Sequence, residues 1–331
     1  MYDILTLVLG LFGNKKRARK GGKRRVAPTF STFLPSAVEG LSCSTAENYR
    51  TALRSFRRFN KGKDRCMSSV SVATVLEYER WLHDNGVSFN TSSCYLRSLR
   101  AIYNKAAERR LVGNVNPFKK AFTGNVPTVK RGMDITNVRL LQSLCLPVGS
   151  RLQLTRDLFL FSFYAMGMPF TDMAYLRKCN ICDSLLVYSR RKTGKRVTVR
   201  IEPCMLHIMK RYAVAGTDYV FPILYKVKNG KTLPIDYNTA LNSYNRDLKH
   251  LSKVAGIKTN LTSYVARHSW ASYAYAQNVS LSVISKALGH SNPRTTLVYV
   301  NELTDDRVAR ENKKLLKGIF RTPLGKRCNY H

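Results

Sequence analysis

Apolar residues recur with the period of an α-helix through most of this chain, and one stretch breaks the pattern. That stretch is residues 185–201, LLVYSRRKTGKRVTVRI, in which two β-rich runs flank Lys192-Thr193-Gly194-Lys195. A Thr-Gly pair between two such runs predicts a β-hairpin. The sequence therefore predicts a mostly α-helical fold with a small β-hairpin or sheet, of the α+β class.

Helices are expected on both sides of the hairpin. A capping box at Ser44-x-x-Glu47 predicts a helix that ends near Asn60. Periodicity and stop signals place the other main helices at about 72–84, 91–111, 203–213, 238–255, 264–278, 280–288 and 293–302, and helical patterns also run from an N-cap at Thr136 to about residue 176.

A length of 331 residues suits two domains rather than one. The stretch 119–134 lacks periodicity and contains Gly, Pro and basic residues, which is typical of a linker. We predict a basic disordered arm at 1–27, a helical domain at 28–118, a linker at 119–134, a larger domain at 135–320 and a tail at 321–331.

The charge balance points to a polyanionic partner. The chain has 56 Lys and Arg against 20 Asp and Glu, a formal charge of +36, and nucleic acid is the commonest partner of such a protein. An anionic membrane would require a spanning or anchoring segment, and the apolar run at 4–12 is far shorter than the ~20 residues that spanning needs. The sequence therefore predicts an intracellular, cytoplasmic protein without a membrane partner. The basic run at 15–25 is either a solvated tail or a source of phosphate contacts.

One helix of the first domain has a strongly basic face. Helical spacing places its arginines opposite its aromatic residues, with no acid expected between them, so a missing anionic partner explains the face better than solvation does. The later helix at about 91–111 turns further arginines away from its core face. The candidate DNA-binding residues are Arg50, Arg54, Arg57 and Lys61 on the first helix, beside Arg58, with Arg97 and Arg100 on the second.

The eight cysteines are scattered, which favours reduced thiols over a disulfide framework. Cys179-x-x-Cys182 followed by Cys204-x-x-His207 resembles a zinc-ligand pattern, but the gap is long and spans the predicted hairpin. Packed or surface thiols are therefore the favoured interpretation. No P-loop or carboxylate cluster is evident either, so we expect no metal and no cofactor.

Four signals in the second half suggest chemistry. They are Lys192 at the hairpin tip, Tyr264 and Arg267 one helical turn apart, His290 after a Gly289 helix cap, and Tyr299 on the next helix. Each alone is ordinary packing. Their order and spacing favour a single site.

This string resembles the tyrosine recombinase (phage integrase) family, in particular recombinases of mobile elements and invertible segments. The resemblance rests on Arg267, then Leu288-Gly289-His290, then Thr295-Thr296-x-x-Tyr299, and it covers about 28–316. It implies a helical core-binding domain followed by a catalytic domain. It also implies Tyr299 as a nucleophile that forms a 3′-phosphotyrosine, Arg267 and His290 on the phosphate, and Lys192 as general acid.

Two positions depart from the family pattern. Pro169 follows Gly167-Met168 where the family has its first catalytic arginine, and Tyr264 stands where the family has a histidine. Tyr264 would then donate a neutral hydrogen bond. We expect Arg177, Arg190 or Arg191 to supply the second positive charge.

The resemblance implies double-stranded DNA as substrate, held between the two domains. It also implies a homo-tetramer on two paired sites, strand exchange through a four-way junction and a possible accessory DNA-bending protein. The alternatives are a catalytically impaired member that acts as a sequence-specific DNA-binding regulator, a type IB topoisomerase, and a basic RNA-binding protein. The RNA-binding alternative leaves the Arg–His–Tyr spacing unexplained.

Overall fold

The computed structural model describes residues 27–113, 115–127, 132–228, 231–290, 292, 294–297, 309, 312–314 and 316. Contacts divide the chain into two units, Met1–Thr128 and Val129–His331. The division falls inside the stretch predicted as a linker. None of the helices described is long and apolar enough to cross a membrane.

The described part of the first unit is helical. Its helices are α1 (Phe30–Val38), α2 (Cys43–Phe59), α3 (Val72–Asp84) and α4 (Phe89–Glu108). Serine caps begin three of them: the side chains of Ser42, Ser71 and Ser88 each accept a hydrogen bond from the backbone N–H three residues later.

The predicted start of α2 was wrong by two residues. Ser42, not Ser44, is the N-cap, and its hydroxyl accepts from the Thr45 amide at 3.3 Å. Glu47 therefore does not close a capping box, and its carboxylate contacts arginines of the same helix instead.

Aromatic packing holds the first unit together. The Phe56 ring of α2 meets Tyr78 of α3 edge to face, with 5.0 Å between centroids, and Phe30 of α1 at 5.5 Å. Leu99 and Ile102 of α4 complete this core and are fully buried. Because α2 buries its aromatic face here, its basic face is turned to solvent.

The second unit surrounds a buried helix. Its helices are α5 (Ile135–Ser143), α6 (Arg151–Tyr164), α7 (Phe170–Ala174), α8 (Pro203–Arg211), α9 (Tyr237–Val254), α10 (Val265–Ala276), α11 (Leu281–Ala287) and α12 (Arg294–Leu297). Consecutive residues Leu158 to Phe161 of α6 are all buried, so this helix is covered on every side. It packs on α9 and α10, which positions α10 against the rest of the core.

The predicted hairpin is confirmed and gains a third strand. Strands β1 (Ile181–Cys182), β2 (Leu185–Ser189) and β3 (Arg196–Arg200) form an antiparallel sheet in the order β1-β2-β3, with Val187 opposite Thr198. Gly194 in the connecting turn has a φ of +69°, a conformation that favours glycine.

A second hairpin was not predicted. Strands β4 (Tyr225–Lys228) and β5 (Lys231–Pro234) pair antiparallel. The Asn229-Gly230 dipeptide between them is the strongest short-range hairpin signal in a sequence, and it should have revealed this element.

Candidate active site

Arg267 lies at the centre of the candidate site. It belongs to α10 and is 2% exposed. Its Nη1 donates to the Gly167 carbonyl at 2.9 Å, and its Nη2 donates to the Leu288 carbonyl at 2.6 Å. The guanidinium is therefore fixed between the turn that precedes α7 and the end of α11.

Position 167 must be a glycine because its backbone lies against Arg267. Its φ is +72°, and a Cβ at this position would lie 2.9 Å from the Arg267 Cα, nearer than real Cβ atoms come. The turn is fixed by the Gly167 and Met168 amides, which both donate to the Ser162 carbonyl. A glycine here lets the backbone carbonyl reach the arginine side chain.

His290 is held by the C-terminal cap of α11. Gly289 has a φ of +66°, its amide donates to the Lys286 carbonyl, and the His290 amide donates to the Ser285 carbonyl at 3.0 Å. These two bonds form a Schellman motif. The cap predicted from Leu-Gly-His is therefore confirmed, and it fixes the backbone of His290 beside Arg267.

The hydrogen bonds of His290 define its protonation state. Its Nε2 lies 3.0 Å from Arg267 Nη2, and its Nδ1 lies 2.8 Å from the buried Thr296 Oγ1. A guanidinium only donates, so Nε2 accepts and Nδ1 carries the proton. Burial first, and then the charges of Arg267, Arg190 and Lys195, lower the pKa of His290 from 6.5 to about 4. The imidazole is therefore neutral at pH 7.

Arg190 lies next to Arg267. It follows β2, is 8% exposed, and donates through Nη1 to the same Leu288 carbonyl that Arg267 contacts. Its Nε forms an ion pair with Asp172 Oδ2 of α7 at 2.6 Å. Two guanidinium groups thus converge on one carbonyl oxygen.

The other two candidates for a second positive charge have different contacts. The Arg191 guanidinium stacks 3.7 Å from the centre of the Tyr175 ring, and its amide donates to Asp172 Oδ1. Arg177 forms an isolated backbone bridge with Tyr219.

The structure brings Lys195, a residue that the sequence did not single out, to the site. Its Nζ donates to the His290 carbonyl at 2.8 Å. Lys192 is exposed in the turn. The Arg190 amide donates to the Lys195 carbonyl at 2.8 Å, so the two residues face each other where the hairpin turn begins. The sequence could have indicated Lys195, because the predicted hairpin register places it opposite Arg190 across the turn.

Of the two candidate tyrosines, only Tyr264 is among the described residues. Tyr264 is the N-cap of α10, is 47% exposed, and its ring lies 5.2 Å from that of His268. Tyr299 lies outside the described residues, and so does most of the predicted helix at 293–302, of which α12 is the described part.

The cysteine and histidine side chains of the zinc-like pattern are not grouped together in the structure. Within the described ranges, no three His, Cys, Asp or Glu side chains are grouped so that they could hold a metal ion. Cys179, Cys182 and Cys204 are exposed, and His207 Nε2 lies 2.7 Å from a guanidinium nitrogen of Arg211. Because arginine only donates, that ring nitrogen accepts a hydrogen bond from Arg211.

The basic face of the first unit is exposed but partly neutralised. Of the residues predicted to bind DNA on this helix, Arg50, Arg54 and Arg57 lie on α2, whereas Lys61 lies in the turn after its end, and all four are exposed. No acid lies between these residues in the sequence, but Glu47, one turn before Arg50, pairs with Arg54 at 2.8 Å and with Arg50 at 3.5 Å.

The two candidate arginines of α4 are less accessible than the α2 set. Arg97 and Arg100 are half-buried, and Arg100 Nη1 donates to Thr123 Oγ1 at 3.2 Å.

A buried arginine that shares a carbonyl with a second arginine and contacts a neutral histidine is suited to binding a phosphate diester. Such a site, in a chain with a helical first unit and a second unit that holds small antiparallel sheets, fits the class of enzymes that act on the DNA backbone. Residues 138–305 match the phage integrase family, and residues 29–123 match the phage integrase SAM-like domain. The chain belongs to the phage integrase family and is a site-specific tyrosine recombinase that acts on DNA.

Known proteins similar to the chain are named tyrosine recombinases or integrases. It is 24% identical over 288 residues to tyrosine recombinase XerD of Rhizobium meliloti (strain 1021), an alignment that covers 82% of this chain and 89% of the relative. The Tn1549 transposon integrase in complex with transposon right end DNA has a TM-score of 0.64 at 14% identity, covering 87% of this chain and 100% of that one. A lambda integrase tetramer bound to a Holliday junction has a TM-score of 0.60 at 14% identity, covering 83% and 78%. At these identities the solved structures support the fold.

Proposed function

We propose that the chain cuts and rejoins duplex DNA through a covalent 3′-phosphotyrosine on Tyr299. The observation that carries this proposal is the geometry around Arg267, whose buried guanidinium lies between two backbone carbonyls and beside the neutral imidazole of His290. A preorganised donor of this kind binds the negative charge that develops on a phosphate under attack.

The reaction conserves the phosphodiester bond energy. The Tyr299 hydroxyl gives its proton to solvent water as its oxygen attacks the phosphorus, the bond from phosphorus to the 5′-oxygen breaks, and the leaving oxygen takes a proton. Lys192 supplies that proton as general acid. Its exposed place in the hairpin turn leaves its side chain accessible to a substrate. Attack of a 5′-hydroxyl on the phosphotyrosine reverses the step and rejoins the strand.

Arg267, Tyr264 and His290 bind the phosphate in this proposal. Arg267 forms charge-assisted hydrogen bonds with non-bridging oxygens, and Tyr264 adds a neutral one. His290 cannot donate through Nε2 while that atom accepts from Arg267. An arriving phosphate attracts the guanidinium and raises the pKa of the imidazole, so that Nε2 becomes a donor when substrate binds.

The assembly is proposed by analogy with the lambda integrase tetramer on a Holliday junction. Four copies would act on two paired DNA sites, with an accessory DNA-bending protein as a possible further partner. In the first unit, Arg50, Arg54, Arg57 and Lys61 would contact backbone phosphates, which fits the exposure of the three arginines on α2 and of Lys61 just after it. Arg97 and Arg100 would supplement them where α4 approaches the DNA.

Trapping a covalent adduct on a nicked DNA site tests the proposed function. The nick lets the cleaved fragment diffuse away, so the unmodified chain should accumulate adduct. Tyr299→Phe should form none and bind DNA nearly as well, because only one hydroxyl is lost. Adduct formed by the Phe variant would identify another nucleophile.

Two other outcomes separate this proposal from its alternatives. Tight, sequence-specific binding by the unmodified chain without adduct would favour the DNA-binding regulator. Relaxation of supercoiled plasmids that lack a specific site would favour a topoisomerase.

A further inference from the structure

The buried ion pair between Arg190 and Asp172 is not explained by packing alone. Arg190 is 8% exposed and Asp172 is 5% exposed. Removing both charges from water costs several kcal/mol for each ion, and well-packed apolar residues often stabilise a core as well as such a pair does. A buried pair beside a candidate reaction centre therefore calls for a functional explanation.

The position of Arg190 is defined from three sides. Asp172 Oδ2 holds its Nε, the Leu288 carbonyl accepts from its Nη1, and its backbone amide donates to the Lys195 carbonyl. Asp172 Oδ1 also accepts from the Arg191 amide at 2.9 Å, so one carboxylate fixes both the guanidinium and the backbone that carries it. Little side-chain freedom remains for Arg190.

Arg190 and Arg267 are close enough to act on one small anion. Both donate to the Leu288 oxygen, and two donors on one acceptor lie no more than about 6 Å apart. The spacing of two non-bridging phosphate oxygens is smaller than this limit, so two forks so arranged can each bind one of them.

The electrostatics of the cluster favour an anion. The charged groups that lower the pKa of His290 are Arg267, Arg190 and Lys195, all of them cations. These three cations outnumber the Asp172 carboxylate, which pairs with Arg190. Binding of a negatively charged phosphate relieves the repulsion among these groups.

We propose that Arg190 is a catalytic residue, the second phosphate-binding guanidinium of this recombinase. It enters the site from the hairpin, whereas α7 has Pro169 at its N-terminus and no arginine. Asp172 is its positioning residue. The proposal rests on the proposed function, because it assigns a further group to the same reaction.

The test compares Arg190→Ala with Arg191→Ala as a matched control. The control removes the same charge from the next residue, whose guanidinium stacks on Tyr175. Strand cleavage is measured on a nicked site with an ordinary scissile phosphate, and on the same site with a methylphosphonate, in which an uncharged methyl replaces one non-bridging oxygen.

We expect Arg190→Ala to slow cleavage of the ordinary phosphate by ~10² or more, and Arg191→Ala to slow it by less than about tenfold. On one methylphosphonate diastereomer the loss in Arg190→Ala should shrink to within about tenfold, because the oxygen that Arg190 neutralises is gone. Asp172→Asn should show the same dependence on substrate with a smaller loss. A merely structural role would slow both substrates alike.

The outcomes distinguish the proposals. Equal losses on both substrates, or normal cleavage of the ordinary phosphate by Arg190→Ala, would overturn the role of Arg190 while Tyr299 chemistry stands. Absence of adduct from the unmodified chain would overturn both. If Arg190→Ala does not fold, Arg190→Lys keeps a charge without the fork, and its two-substrate comparison decides the question.

Discussion

At the scale of single residues, the site depends on a glycine, which has no side chain to take part in the reaction. Gly167 and Gly149 share a φ of +72°, but a Cβ at Gly149 meets nothing within 4 Å, whereas one at Gly167 lies 2.9 Å from the Arg267 backbone. The two positions separate the cost of backbone conformation from the cost of crowding the arginine.

Gly149→Ala should lower the free energy of unfolding by about 1–2 kcal/mol, the cost of a left-handed alanine. Gly167→Ala should cost at least ~1 kcal/mol more and should also reduce DNA cleavage, because Arg267 must shift. Urea unfolding and adduct formation measure the two effects. Equal destabilisation by both variants would contradict the close approach.

His290 makes stability depend on pH in a defined window. Its pKa falls from 6.5 to about 4 on folding, so between these values the unfolded chain takes up a proton that the folded chain does not. The contribution of this residue is therefore complete above about pH 6.5 and declines as the pH falls towards 4. Below that value both states are protonated and the loss is complete.

Removing the imidazole should remove this part of the pH dependence. Between pH 7 and pH 5, His290→Asn should lose less stability than the unmodified chain, as measured by denaturant unfolding at each pH. An identical decline in both proteins would show that the imidazole titrates normally.

The residues that could be predicted from the sequence are those that lie near one another along the chain. Arg267 and His290 were predicted because α10 and α11 follow each other closely, so motif spacing reports their proximity. Arg190 could be named only as one of three candidates, since its contact with Asp172 joins a hairpin to a helix 18 residues away. Side-chain geometry, which spacing does not encode, separates Arg190 from Arg191.

At the scale of elements, the signals of helix caps and turns are better guides to helices and strands than composition is. The helix predicted at about 72–84 has these ends in the structure, where Ser71 caps its start and Gly86, with a φ of +74°, follows its end. The three-stranded sheet was predicted only in part, since the two-residue β1 is too short to show a periodic pattern. The second hairpin was missed although Asn229-Gly230 lies between its strands.

DNA contact by α2 can be tested with two kinds of variant. One removes arginines, and the other removes the carboxylate that pairs with them. Changing Arg54 and Arg57 together to Ala should flatten the slope of log affinity against log salt by roughly 2, because each phosphate contact contributes about −0.9. Glu47→Gln should raise affinity and steepen the slope, because it frees Arg50 and Arg54 from their carboxylate partner.

Titration of a labelled DNA site at several salt concentrations measures both changes on α2. Asn48→Ala, at another exposed position of α2, is a control that alters no charge. Slopes that are unchanged in both charge variants would assign this face of α2 to solvent.

At the scale of the whole molecule, the two units divide the work of binding and chemistry. The family matches fall on separate stretches, 29–123 and 138–305, on either side of the division between the units. Each unit has its own apolar core, and a separate core is the physical property that makes part of a chain a domain. The formal charge of +36 is spread over both and provides long-range attraction to DNA.

The meeting of two guanidinium groups at the Leu288 carbonyl has a consequence for how such enzymes are recognised in genomes. The phosphate requires a guanidinium group at a given position, and the arginine that provides it can belong to a helix or to a neighbouring hairpin. A survey that scores each catalytic residue by its alignment column would read Pro169 as a loss and discard this chain as inactive. A survey that looks instead for a buried arginine paired with the aspartate three residues after that column would retain this chain. It would also show how often the second arginine of such a site comes from a different part of the chain.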